Sequence, residues 1–362
     1  MWLFALSLPM EAGSSPAILS IEAAEKLAKK QLTYGFDYSG LAFFGNKLYA
    51  SCNLGLLEIE NASPTKLYQW TKSDSVVEGP WLDRANGLLW VWLIGTDQVA
   101  NYDGKSWKTM RMPEPRAGFS RGNILEGFRG IGNSRTFWLE GAWHAWAWNP
   151  KHSNWNDERI PPALRAGLRS DPILRRLVPT DDALQFVMLR DVELSHSDSQ
   201  VQRKQKGDAI YYSDDSWHEV TNKSHFVFFA EQTVSTGKTG YVRSSRGDVL
   251  EVTTNGIVKL DCPGKCEALA VTSSNSLAAS FHNLGVYAFN SQWELLFKAP
   301  YPSTEDKYWA HLAESAGEIA LSLAPRGHLV GDKRVYDSTA SIWVFNRQRL
   351  EQVPFAKAPQ SK

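Results

Sequence analysis

The most regular feature of the chain is an apolar pair, two residues apart, that runs into a polar turn and then into another apolar strand. The pairs are Leu57/Ile59, Ala100/Tyr102, Trp146/Trp148, Ile210/Tyr212, Leu250/Val252, Tyr287/Phe289 and Trp343/Phe345. Turns follow at Asn61-Ala62, Asp103-Gly104, Asn149-Pro150, Asp214-Asp215, Asn255-Gly256, Asn290-Ser291 and Asn346-Arg347. Period-two alternation that ends in Asn or Asp is a strand entering a hairpin turn. The next strand opens at Leu67, Trp107, Trp155, Trp217, Ile257, Trp293 and Leu350, spaced 40, 48, 62, 40, 36 and 57 residues apart. Ahead of each pair stands another strand candidate, at 47–52, 88–93, 136–140, 184–189, 239–243, 276–281 and 318–323. Ahead of those comes a shorter segment of small residues, clearest at 41–44 and 268–272, suited to a crowded inner strand. The short spacings match the roughly 40–45 residues of a four-stranded propeller blade. The pattern therefore predicts an all-β, seven-bladed β-propeller of four-stranded blades over 37–356.

Residues 87–110, GLLWVWLIGTDQVANYDGKSWKTM, compress the repeat into one window. Leu88 to Leu93 is aromatic and branched, Val99 to Tyr102 follows a polar corner, and Asp103-Gly104 suits the positive φ angles of a tight hairpin before Trp107. The order G-x-L-W-V, G-T, N-Y-D-G and W resembles the repeats of sensor-type two-component regulator propellers, and more loosely other seven-bladed propellers. The resemblance implies the propeller fold and carries no catalytic signature. Other repeats are diluted forms; residues 277–289 lack the W-V and G-T elements.

Residues 20–32 carry the one clear helical signature. Ser20 is placed to cap it, Ile21, Ala24, Leu27 and Ala28 share a face, and lysines gather at its end. Nothing similar recurs, so 1–36 reads as an N-terminal tail and helix. Within it, 1–12 is an apolar run with a small-residue exit and no basic start, the remnant of a signal peptide or an apolar tail. Residues 357–362 read as a disordered tail. The compartment stays open between secreted or periplasmic and cytoplasmic.

The longer spacings imply insertions. With blade strands A to D running outward, 190–208 and 324–339 fall between B and C, while 113–127, 160–180 and 299–308 fall between D and the next A. All five then lie on one face, and the opposite face keeps tight turns. Binding residues collect on loops held by a rigid scaffold, so the loop-rich face is the candidate surface.

Composition supports the β reading: 15 Trp, 12 Tyr and 16 Phe favour a pleated, half-buried surface. Lys plus Arg and Asp plus Glu are both 39, and a nucleic-acid partner would call for a basic excess. No run of 18 apolar residues appears, so no membrane-spanning helix is expected. Cys262 and Cys266 are spaced for a loop disulfide, for two free thiols or, least well supported, for half of a metal site; Cys52 reads as a buried thiol.

Candidate chemistry lies at the corners of the loop-rich face: Glu140, Trp143 and His144, Arg190 and Asp191, Arg246, His282 and Asn283, and Arg326 and His328. Such a ring suits a metal or an anionic or sugar ligand; the competing reading is that corner residues are polar because they are wet. Trp146 and Trp148 occupy blade-packing positions and read as core. The basic stretches 165–176 and 203–206 read as solvated loops, and Ser235-Thr236-Gly237-Lys238 reads as a turn rather than a phosphate loop. Neither a nucleophile elbow nor a zinc-hydrolase pair is present. A monomeric, non-enzymatic binding propeller without cofactor or metal is expected, taking a protein, a small molecule or a carbohydrate. The alternative is a hydrolase or lyase acting on a carbohydrate or ester at the channel mouth.

Overall fold

The computed structural model describes residues 15–31, 38–70, 77–94, 96, 98–112, 129–140, 145–158, 176–181, 185–197, 200–213, 216–220, 230–301, 308–325, 328–330, 333–335, 340–346 and 349–354. Among these residues, outside one helix, Ile21–Gln31, the regular structure is antiparallel sheet. Most sheets are runs of consecutive strands, because each apolar pair feeds a short turn that returns the chain beside itself; the exceptions are Ala17–Leu19, which joins the far edge of the first sheet, and the small pair His328–Val330 and Lys333–Val335, inserted within the last.

Inner strands follow one another around a central channel in chain order. They are Tyr38–Phe44, Val77–Asp83, Arg129–Gly132, Arg176–Pro179, Ala230–Thr236, Cys266–Val271 and Tyr308–Ser315, and the last packs against the first. The sheets built outward from them span 17–69, 77–111, 129–158, 176–220, 230–259, 266–297 and 308–352. Every strand opening expected from the apolar pattern falls in an outermost or next-to-outermost strand, from Ser63–Gln69 to Arg349–Gln352.

Seven sheets of four strands each were expected, and that count is corrected. Among the described residues, six sheets have four strands and the 17–69 sheet has five, because Ala17–Leu19 pairs antiparallel with the strand Ser63–Gln69. The residues between them explain why. Ser20 caps the helix, its Oγ accepting from Ala23 N at 3.3 Å, and the helix then turns Ala24 and Ala28 into the core.

Packing between sheets is apolar and aromatic. Tyr49, Leu56, Tyr68 and Trp70 of the 17–69 sheet meet Leu89, Val91 and Trp107 of the next. Trp90 and Trp92 meet Phe137, Leu139, Trp146 and Trp148, with the Trp90 and Phe137 rings stacked at 5.5 Å. Trp146 and Trp148 are thus core, as their slots in the repeat imply. The ring closes through side chains, since Leu57, Ile59 and Leu67 share a cluster with Ala313, Ala320, Ile342 and Val344 of the last sheet and with the helix.

Four further expectations are corrected. Residues 190–208 are not a loop: Gln185–Ser197 and Gln200–Ser213 continue as a long hairpin with Ser197 opposite Gln200. Arg176–Pro179, read as part of a solvated insertion, is an inner strand paired to Gln185–Met188. In the 324–339 insertion, His328–Val330 pairs with Lys333–Val335. The Asp103-Gly104 turn is a four-residue loop, because Asp103 Oδ1 accepts from Lys105 N at 2.9 Å and Ser106 N at 2.8 Å, leaving only Gly104 at positive φ. Gly237-Lys238 does form a tight turn, between Thr236 and Thr239. Cys262 and Cys266 are free thiols rather than a disulfide, and Cys52 is buried, as expected.

Candidate functional site

Antiparallel up-and-down sheets fix the geometry of the channel. The inner strands start at the face that receives the incoming connections and end at the face of tight turns. Side chains near each strand start therefore gather at one end of the channel. A cavity of about 900 Å3 runs between the inner strands.

At the tight-turn end, neighbouring sheets are tied together. Asn133 Nδ2 donates to Thr180 O at 2.5 Å, Ser134 N to Asp181 Oδ1 at 3.0 Å, and Ser273 Oγ to Glu314 Oε1 at 2.9 Å. Arg84 crosses the channel to Val271 O at 3.3 Å. This end is structural.

The other end is chemical. Arg176 Nη1 donates to Glu140 Oε1 at 2.9 Å, and Glu140 Oε2 accepts from Leu177 N at 2.8 Å, so Glu140, only 4% exposed, staples two sheets together. Arg243 Nη1 lies 2.8 Å from Glu231 Oε2, and Arg129 Nη1 donates to the Glu231 backbone carbonyl. His282 Nδ1 lies 2.6 Å from Glu267 Oε1, and Tyr301 OH donates to Glu267 Oε2 at 2.9 Å. Glu78, Trp309 and His311 border the same space.

The charges at this end bear on one another. Burial pushes the Arg129 guanidinium down to about 10; Arg176 and Arg243 push the same way, and Glu140 and Glu78 oppose them. Arg129 lines the cavity and its side chain is exposed there, so it is reachable. Burial, then the Arg243 and Arg129 charges, hold the His311 imidazole down at about 4 against a hydrogen bond with the Tyr38 backbone. Burial likewise raises the Glu78 carboxyl, although Arg129 and Arg176 favour its ionised form. Among the described residues, no group of three or more His, Cys, Asp or Glu is arranged to hold a metal ion.

Of the residues singled out from sequence, Glu140 and His282 line the cavity. Arg246 is exposed in the turn that Ser244 Oγ organises, accepting from Arg246 N at 3.2 Å. Asn283 takes a φ of 57° in the exposed turn after His282, which accounts for an Asn there. Arg190 and Asp191 are strand residues opposite Gly207 and Lys206, not corner residues, and His328 is a strand residue opposite Val335. Their side chains, with Trp143, His144 and Arg326, lie outside the described residues. Arg129, Arg176, Arg243, Glu231, Glu267, Trp309 and His311 were not foreseen. A charged or aromatic residue at the start of each inner strand is the signal that would have found most of them.

No protein-family model and no curated protein matches the sequence. Solved structures do match. Virginiamycin B lyase from Staphylococcus aureus aligns at 11% identity and a TM-score of 0.53, covering 84% of this chain and 94% of that one. Acylaminoacyl peptidase from Pyrococcus horikoshii aligns at 10% identity and a TM-score of 0.56, covering 90% of this chain and 53% of that one. The extracellular domain of the one-component system BT4673 from B. thetaiotaomicron aligns at 11% identity and a TM-score of 0.50, covering 89% of this chain and 45% of that one. The chain is a β-propeller. At these identities the likeness is one of fold, and propellers host lyases, hydrolases and sensor domains alike. Among the described residues, no helix of this propeller is long and apolar enough to cross a membrane.

Proposed function

We propose that the propeller is a binding module whose ligand enters the channel from the loop-rich face, and that the five-stranded 17–69 sheet counts as the first of seven blades. The observation that carries this reading is the convergence of Glu78, Arg129, Glu140, Arg176, Arg243, His282 and His311, from six different sheets, on one end of a cavity of about 900 Å3. Convergent polar groups in a concave, pre-formed space are what small-ligand sites are made of. Glu140 and Glu231 are engaged by Arg176 and Arg243, so they hold the guanidinium groups in place rather than standing ready for proton transfer. The exposed Arg246 and Asn283 would contribute to the rim through which a ligand or partner passes, and we propose Trp143, His144, Arg190, Asp191, Arg326 and His328 as further binding residues. The protein acts as a monomer.

One observation favours a second reading. The 2.6 Å contact between Glu267 and His282 resembles a carboxylate-oriented imidazole, the arrangement of a general base. A lyase or hydrolase acting on a carbohydrate or ester would use His282 in that role.

The test is a thermal-shift screen of the full chain against divalent metals, neutral oligosaccharides and organic acids, repeated with His282→Ala and Arg129→Gln. A ligand at a hundredfold excess over Kd adds about 2.7 kcal/mol to the native state, a clear rise in melting temperature. The binding reading expects a hit that at least one variant loses. No hit in any class contradicts it. Turnover of a hit compound that His282→Ala abolishes would favour the enzyme instead.

A further inference from the structure

The strand Tyr308–Ser315 alternates sharply. Tyr308, Ala310 and Leu312 are buried against the neighbouring sheets, while Trp309 and His311 face the cavity. Trp309 is 48% exposed, and it is the one aromatic side chain among the large exposed hydrophobic residues described. The others, Ile18, Val258, Leu284 and Leu295, do not line the cavity. A half-exposed indole bordering a concave polar site is a flat platform on which a ring can stack.

The guanidinium groups reach the same region from across the channel. Arg129 and Arg243 belong to the 129–158 and 230–259 sheets, yet both bond to Glu231 and both line the cavity that Trp309 and His311 face. Each guanidinium carries five N–H donors in a fixed fork. The bonds to Glu231 described above use Nη1 of each. Two guanidinium groups held by Glu231 and lining one cavity can clamp a carboxylate.

Three guanidinium groups, those of Arg129, Arg176 and Arg243, line the cavity; Glu140 engages Arg176 and Glu231 engages Arg243, while Arg129 is bonded to a backbone carbonyl. A dianionic phosphate or sulfate would meet these carboxylates at close range, and a neutral sugar would leave the clamp without a counter-charge.

Resting on the binding reading above, we infer that the cavity takes a small cyclic carboxylic acid, its carboxylate held between Arg129 and Arg243 and its ring laid on Trp309. An acidic monosaccharide and an aromatic acid share this chemistry, and the experiment separates them.

Isothermal titration of the full chain with D-glucuronate, benzoate, D-glucose, benzyl alcohol and acetate is the test. At least one of the two ring acids should bind about tenfold or more tightly than its neutral counterpart and than acetate. Glucuronate alone identifies a sugar acid, and benzoate alone an aromatic acid. Trp309→Ala should weaken the ring acid about tenfold, and Trp309→Phe should recover much of that loss. Arg129→Gln should abolish binding while the circular dichroism spectrum stays native. Failure of both ring acids to bind, binding no tighter than that of the neutral compounds, or binding indifferent to Trp309→Ala and Arg129→Gln overturns the inference. If neutral oligosaccharides bind in the thermal-shift screen and the cavity variants lose them, the binding reading stands and only the acid assignment falls.

Discussion

Glu58 shows how this fold spends its buried charges. Its carboxylate, 1% exposed, accepts from Lys47 Nζ at 2.9 Å, Tyr49 OH at 3.1 Å, Tyr68 OH at 2.7 Å and Thr65 Oγ1 at 3.1 Å, with Lys66 Nζ 3.4 Å away. Burial alone would raise its pKa. The Lys47 and Tyr68 bonds, the Lys66 charge and Thr65 outweigh it and hold the group at about 2. Its folded value lies below the unfolded value of 4.5, so the stability it contributes is complete above pH 4.5 and is lost as pH falls toward 2. Glu58→Gln should cost about 1–3 kcal/mol in denaturant melts at pH 7 and flatten the acid limb in that window. His311 acts in a neighbouring window. Between pH 6.5 and 4 the unfolded chain takes up a proton that His311, held down by burial and by Arg243 and Arg129, refuses in the folded state, so stability falls as pH falls. His311→Gln should remove that slope. An unchanged profile would mean that neither burial nor the two arginines hold the imidazole neutral.

At the scale of elements, apolar periodicity revealed the middle and outer strands, because those strands pack sheet against sheet on both faces and read as paired hydrophobic positions. The inner strands were harder to read for a physical reason. One side of each faces a wet channel, so Arg129, Arg176, Glu231 and Glu267 interrupt the alternation and look like loop residues; Arg176 was hidden in a basic stretch read as solvated. Glu140 and His282 were legible as site candidates because they end next-to-inner strands, where the apolar pattern is clear. The part of the Gln185–Ser197 and Gln200–Ser213 hairpin over 190–208 was missed because its sequence is polar and basic and carries little apolar alternation. The helix had a legible cap and face, but nothing in it told that Ala24 would reach 0% exposure against the first and last sheets. Ala24→Asp places a charge in that core and should destabilise the chain by about 2 kcal/mol or more, read by chemical denaturation. A neutral effect would mean the helix is not docked.

For the whole molecule, the inner strands approach one another more closely than side chains allow at some points. A Cβ on Gly40 would run into the Gly79 carbonyl of the next inner strand, to which Ser51 Oγ also donates. Gly40→Ala should cost about 1–3 kcal/mol and, since it pushes two sheets apart, weaken ligand binding in the cavity as well as lowering the melting temperature. Closure matters to the site because Arg129, Arg243 and His311 come from three sheets and meet only if the ring is complete. The measurement that tests this most directly is a crystal structure of the full chain grown with the compound giving the largest thermal shift. The account predicts electron density for that compound at the loop-rich end of the cavity, bordered by Arg129, Arg243, His282 and Trp309. Density at the tight-turn end near Arg84 and Asp181, or on an outer sheet edge, would contradict it.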